Sequence, residues 1–315
     1  MSSADAPFDV RIKRCEALSA LGRYEAGLEE ARAAIGQDPT RGDGWFEASR
    51  ALLFLEKNAE ALEHAEKGLA RAPRWGWGHR LRSLALTRLG RHEEALAAVD
   101  EALRLDPHDG HAFRRRARVL WDLKRKPEAI EAVRKALEID PQEVEALCLL
   151  SDYSLSLGDR TTALRSAEQA VAADPLSLFG LHCLGDAREK HGDFKGALQA
   201  YQRAIMTDPT KANFAKTRLV RVVHEHYIDP TQRAARWLAV LSAALGALIG
   251  LLALALPGPI LAVGCVASAG LVVILPLLLT TRPAWRRRLD RDLPGASALY
   301  DTVKDQLDAQ QKAKG

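Results

Sequence analysis

Six prolines, Pro39, Pro73, Pro107, Pro141, Pro175 and Pro209, stand 34 residues apart. Each closes a segment of one kind, as in "EALRLDP" or "QRAIMTDP". A fixed period of this length means that one structural unit is repeated and that each unit packs on its neighbours. Seventeen residues before each proline come Gly22, Glu56, Gly90, Lys124, Gly158 and Gly192, mostly the residue that accepts a left-handed helix end without strain. Twelve before it come Gly27, Ala61, Ala95, Ala129, Ala163 and Ala197. Five before it come Ala34, Gly68, Ala102, Ala136, Ala170 and Ala204. Small residues seven apart share a helix face and allow two helices to approach closely. Proline cannot continue a helix. The unit is therefore helix, turn, helix, stop.

The stretch "LGRHEEALAAVDEALRLDP" at 89–107 resembles the second half of a tetratricopeptide repeat (TPR) in length, small residues and final proline. Trp45 and the pair Leu184–Gly185 fit the first-helix signature, whereas His79 and Arg116 depart from it. The period divides the chain into a short N-terminal segment, 1–7, and six repeats: 8–41, 42–75, 76–109, 110–143, 144–177 and 178–211. The expected fold is all-α, a right-handed superhelical solenoid of helix pairs. Its last apolar face needs a cover. In 212–228, Phe214, Leu219, Val222, Val223 and Tyr227 fall at helical spacing, which predicts a capping helix.

From Trp237 to Thr281 there is no charged residue. One helix of that length would run roughly 68 Å, more than twice the bilayer core of about 30 Å. Pro257-Gly258-Pro259 divides it into spans 237–256 and 260–280, an antiparallel transmembrane hairpin. Arg233 and Arg236 precede it and Arg282, Arg286, Arg287 and Arg288 follow it, so the positive-inside rule places both ends in the cytoplasm. Trp237 and Trp285 are expected at the membrane interface, with Arg286, Arg287 and Arg288 near lipid headgroups. Gly246 and Gly250 form a GxxxG that either packs the two spans together or makes a homo-oligomer contact. No ionisable residue lies inside either span, which disfavours transport and makes the hairpin an anchor. In 286–315, Leu299, Tyr300, Val303 and Leu307 suggest a short amphipathic helix.

The four cysteines show no CxxC, which fits free thiols in a reducing compartment. No nucleotide-binding, hydrolase or zinc-protease motif is present, and no metal, cofactor or enzymatic activity is expected. His224 and His226, two apart, point to different sides of a helix. The net charge of +4 gives no nucleic-acid signal.

The resemblance implies a binding groove lined by first helices. Its positions here hold Phe46, Arg50, Leu53 and Phe54; then Trp77, Arg80, Leu84 and Arg88; then Arg114, Arg115, Arg118 and Trp121. Glu145, Asp152, Asp186 and Glu189 make the later part acidic. Arginine forks suit carboxylates and tryptophan supplies apolar anchoring area, so an acidic protein or peptide segment is one expectation. The other is a solvated face, neutralised by Asp122, Glu145 or Asp152. The lysine and asparagine clamp of chaperone-tail binders has no counterpart here. The functional expectation is a scaffold that binds a protein partner and assembles it at a membrane, the bacterial plasma membrane if the Ala- and Arg-rich composition marks the source. The alternative is an accessory subunit held in a larger membrane complex by its hairpin.

Overall fold

The computed structural model describes residues 7–228 and 284–312, all of them in helices or the turns that join them. The expected hairpin, with Trp237, Gly246 and Gly250, lies outside the described residues. Among the described residues no helix is long and apolar enough to cross a membrane.

The first helices and their partners follow in sequence as α1 (Phe8–Ala20) and α2 (Tyr24–Gln37), α3 (Gly42–Phe54) and α4 (Asn58–Arg71), α5 (Gly76–Arg88) and α6 (His92–Leu105). Then come α7 (Gly110–Asp122) and α8 (Lys126–Ile139), α9 (Val144–Ser156) and α10 (Arg160–Ala173), α11 (Leu178–His191) and α12 (Phe194–Thr207). The chain forms two compact units that divide within α9, after Tyr153.

The turn inside each pair is built the same way. Gly22, Gly90, Gly158 and Gly192 have positive φ, and so do Glu56 (60°) and Lys124 (64°). Left-handed backbone is required there whatever the residue, because the next amide must turn back. Arg91 N–H donates to the Leu86 carbonyl at 2.9 Å, and Lys57 and Arg125 do the same to Leu52 and Leu120. The helix end thereby recovers a carbonyl that would otherwise lack a partner. At the other junctions Asp38, Asp106, Asp140, Asp174 and Asp208 each accept from the amide two residues on, at 2.9–3.0 Å. The aspartate before the proline thus shapes the turn that the proline starts.

In the first unit the small positions Ala61, Ala65, Ala95, Ala98, Ala129 and Ala132 are buried, and larger side chains fill the gaps they leave. Ser49 and Ser83, one repeat apart, donate to the carbonyls of Ala61 and Ala95, each at 2.8 Å. Trp45 donates its indole N–H to the Pro39 carbonyl at 3.2 Å, and His79 is 2.9 Å from the Pro73 carbonyl. The histidine that departs from the expected aromatic therefore makes the equivalent contact.

In the second unit α13 (Asn213–Val223) continues as a π-helical turn at His224–Ile228. Leu219, Val222, Val223 and Tyr227 are buried, but Phe214, expected with them, is 77% exposed. The cap is larger than one helix. α14 (Ala284–Asp292) and α15 (Ala296–Lys312) add Trp285, Leu289, Leu293, Tyr300 and Val303 to the same core. Tyr227 donates to Asp292 at 3.0 Å, so residues on both sides of 229–283 are held together.

Candidate binding site: a basic cavity in the first unit

Helical spacing brings the site together. Arg50 and Phe54 lie one turn apart on α3. Trp77, Arg80, Leu81 and Leu84 form one stripe on α5, and His111, Arg114, Arg115 and Arg118 form the matching stripe on α7. With Glu145 from α9 they line a cavity of about 610 Å³. Expected groove residues Arg50, Phe54, Trp77, Arg80, Arg114, Arg115 and Arg118 are all in its wall.

Four others are not. Phe46 is fully buried, its ring fitted between Gly68 and Gly78, because α4 and α5 carry no side chain where the ring sits. Arg88 is absent from the wall; its guanidinium donates to the Leu53 carbonyl, and Leu53 itself is buried. Trp121 stacks flat on Tyr153, ring centres 3.9 Å apart, rather than facing the cavity. His111 and Leu81 line the wall unannounced. Counting on from Arg114, Arg115 and Arg118 by one turn in either direction reaches His111, a signal that was available.

Most of the arginines have acids beside them. Arg114 pairs with Glu143 and, at 3.1 Å, with Glu145. Arg118 lies 3.8 Å from Glu145, Arg80 is 3.2 Å from Asp109, and Arg50 pairs with Glu47. Glu145 was an expected neutraliser; Asp109 and Glu143 were not. Asp122, also expected, faces His92 at 3.9 Å. Arg115 has no ion-pair partner among the described residues. Its half-burial, followed by the neighbouring charges of Arg118, Arg114, Arg88 and Arg80, pulls its guanidinium down to about 10. The Nε–H of Arg118 is buried without an acceptor, whereas Arg80 Nε is the atom that lies 3.2 Å from Asp109, without a well-aligned hydrogen bond. An anion would give Arg115 and Arg118 the acceptor they lack.

Glu47 is the other perturbed group. Burial, opposed by Arg50 and reinforced by Glu16 and Asp43, pushes its carboxyl up to about 7. It lines a neighbouring cavity of about 390 Å³ with Ile12, Glu16, Asp43, Arg50, Trp75 and Trp77.

Residues 80–144 and 148–212 match the family described as tetratricopeptide repeat. These segments are tetratricopeptide repeats. Among solved structures, a thermophilic TPR protein of Thermus thermophilus is similar at 25% identity and TM-score 0.53, covering 61% of this chain and 100% of that one. PilW, a widely conserved type IV pilus biogenesis factor, is 17% identical with TM-score 0.56, over 64% of this chain and 94% of that one. PilF of Pseudomonas aeruginosa is 18% identical with TM-score 0.54, over 64% and 92%. The pilus proteins share the fold. No curated protein sequence matches the chain. The described residues are all-α and pair as TPR-type helices, and TPR domains bind protein or peptide partners.

In the second unit the acidic residues Asp186 and Glu189 are engaged internally. The buried Tyr201 hydroxyl donates to Asp186 at 2.6 Å and Glu189 at 3.1 Å, while Arg218 and Arg221 pair with the same two carboxylates. Trp285, expected at the bilayer interface, is instead buried edge-on against Tyr300, where helix packing claims its indole. Arg286 pairs with Asp301 at 2.9 Å, Arg288 lies over the Tyr227 ring, and Arg287 is exposed. Cys15 and Cys148 are buried free thiols, and Cys183 is buried as well. Among the described residues no cluster could hold a metal ion.

Proposed function

We propose that this TPR protein is an adaptor that receives an acidic segment of a protein partner in the basic cavity and holds that partner at a membrane. The observation that carries the reading is Arg115, a half-buried cation without an acid, set among four other guanidinium groups. Uncompensated burial of charge is unfavourable, and a site that keeps it is arranged for a ligand that supplies the missing charge. Phe54, Trp77, Leu81 and Leu84 give the same segment an apolar wall.

The uncharged run 237–281, with arginines on both flanks, supports the membrane part of the proposal. The repeats and the C-terminus would then share the cytoplasmic side, in this reading that of a bacterial plasma membrane. Tyr227 bound to Asp292 agrees with both roots of the hairpin lying on one side. Confinement to a surface raises the effective concentration toward other membrane-bound proteins without any new contact.

The test is fluorescence anisotropy with a labelled peptide of alternating aspartate, glutamate and leucine. The wild type binds it, more weakly as salt rises, and Arg115→Gln with Arg118→Gln loses at least tenfold in affinity. No binding, or equal binding by the variant, rejects the reading.

A further inference from the structure

The charge balance around the cavity narrows the ligand. Arg50, Arg80, Arg88, Arg114, Arg115 and Arg118 are six guanidinium groups in and beside it. Glu47, Asp109, Glu143 and Glu145 are the four carboxylates paired with them. The guanidinium groups outnumber these carboxylates, more so while Glu47 holds its proton, and one ordinary carboxylate would cancel only part of the difference. The donors also come from two sides. Arg80 is on α5, whereas Arg115 and Arg118 are on α7. The buried Nε–H of Arg118 has no acceptor, Arg80 Nε has only a poorly aligned one in Asp109 at 3.2 Å, and Arg115 has its whole fork without an acid. A planar carboxylate offers two oxygens in one plane. A phosphoryl group offers three, arranged tetrahedrally, and carries close to two charges at neutral pH.

We propose that the cavity binds a phosphate monoester carried on a side chain of the partner, with Arg115 as its central ligand and Arg80 and Arg118 on either flank. This rests on the reading that the cavity receives an anionic partner segment, and it names the group that segment presents. The apolar wall from Phe54 to Leu84 accommodates the chain that carries the phosphate, so the peptide adds affinity to that of the ion. Phosphorylation of the partner would then be what turns recruitment on.

The experiment uses the full chain in detergent micelles and three peptides of one sequence, acidic and leucine-containing, whose central residue is serine, glutamate or phosphoserine. Calorimetry reads the affinities, and inorganic phosphate serves as a competitor. The phosphoserine peptide is expected to bind at least tenfold more tightly than the glutamate peptide. That gain should shrink below about pH 6, where the phosphate takes up its second proton. Phosphate should compete only at far higher concentration than the peptide. Arg115→Lys should lose most of the gain, since an ammonium lacks the fork. Arg118→Gln gives a second variant should the first fold poorly.

Equal affinity for glutamate and phosphoserine overturns the phosphoryl proposal and leaves the acidic-segment reading standing. Failure of all three peptides overturns both. Phosphate binding as tightly as the phosphopeptide overturns the side-chain source and makes the ligand the free ion.

Discussion

Gly78→Ala is the sharpest probe of how the first unit is packed. A Cβ at Gly78 would lie 2.4 and 2.6 Å from two ring carbons of Phe46 and 2.9 Å from Leu69. Ordinary carbon contacts are about 3.5–4.0 Å, so the ring would have to retreat by roughly an ångström. It has nowhere to go. Phe46 is fully buried, its ring already lies where a Gly68 side chain would be, at 2.5 Å from that Cβ position, and Gly42 closes a third side at 3.1 Å. Overpacking of this kind costs about 1–3 kcal/mol. The better helix propensity of alanine returns at most ~1 kcal/mol. The net expectation is a loss of about 1–2 kcal/mol. Urea titration followed by tryptophan fluorescence measures it locally, because the Trp75 and Trp77 rings lie 5.1 and 5.9 Å from Phe46. Adding Phe46→Leu removes the clashing ring atoms, so the double variant should be more stable than the sum of the two losses by about 1 kcal/mol or more. Gly36→Ala, where nothing lies within 4 Å, is the control and should not destabilise. If Gly78→Ala matches or exceeds the wild type, the slot for Phe46 is not what sets the spacing of α4 and α5.

Three other outcomes follow from single sites. Lys124 holds a left-handed backbone at φ 64°, so Lys124→Gly should raise stability by about 0.5–1 kcal/mol in the same titration. A drop would mean that the lysine side chain supports the turn. Glu47 has its folded value at about 7 against an ordinary 4.5, so the folded state holds the proton more tightly than the unfolded one. Its contribution therefore turns unfavourable as pH rises from about 4.5 to 7, by on the order of 3 kcal/mol, and is complete above that range. Glu47→Gln should flatten this part of the stability–pH curve, and an unchanged curve refutes the assignment. Leu289 is fully buried in the second unit, so Leu289→Ala should cost about 2–5 kcal/mol and expose α14 and α15 to protease. Unaltered protection would show that these helices do not complete the cap.

Much of the fold could be read from the period, because proline, glycine and alanine act through local backbone chemistry. Proline forbids a helix on its own terms, and a left-handed turn selects glycine four times in six. Glu56 and Lys124 show the limit: the turn is imposed by the repeat, and an unsuited residue adopts it. The junction aspartates were visible before every proline but Pro73, yet their role needed the geometry of the turn.

The site was legible in its rows and not in its details. Spacing on α5 and α7 brings Arg80, Arg114, Arg115 and Arg118 to one wall, though not Arg88, because residues three and four apart share a face whatever surrounds them. It could not show that Phe46 turns inward, since that depends on glycines 22 and 32 residues away. Nor could it assign the acids. Arg114 meets Glu143 across 29 positions, whereas Asp122, on the same helix as the arginines, faces His92. Trp285 reads as an interfacial residue by composition and is buried because α15 happens to cover it.

The central claim is that the basic cavity takes up an acidic partner at a membrane. The most direct measurement places a photo-crosslinking residue at Leu84, inside the cavity, in cells that make the full chain. Captured peptides are identified from isolated membranes, with and without Arg115→Gln and Arg118→Gln. The account predicts crosslinks to one acidic segment of a membrane-associated protein, lost in the double variant. Crosslinks that persist in the variant, or that fall on segments without acidic or phosphorylated residues, contradict it.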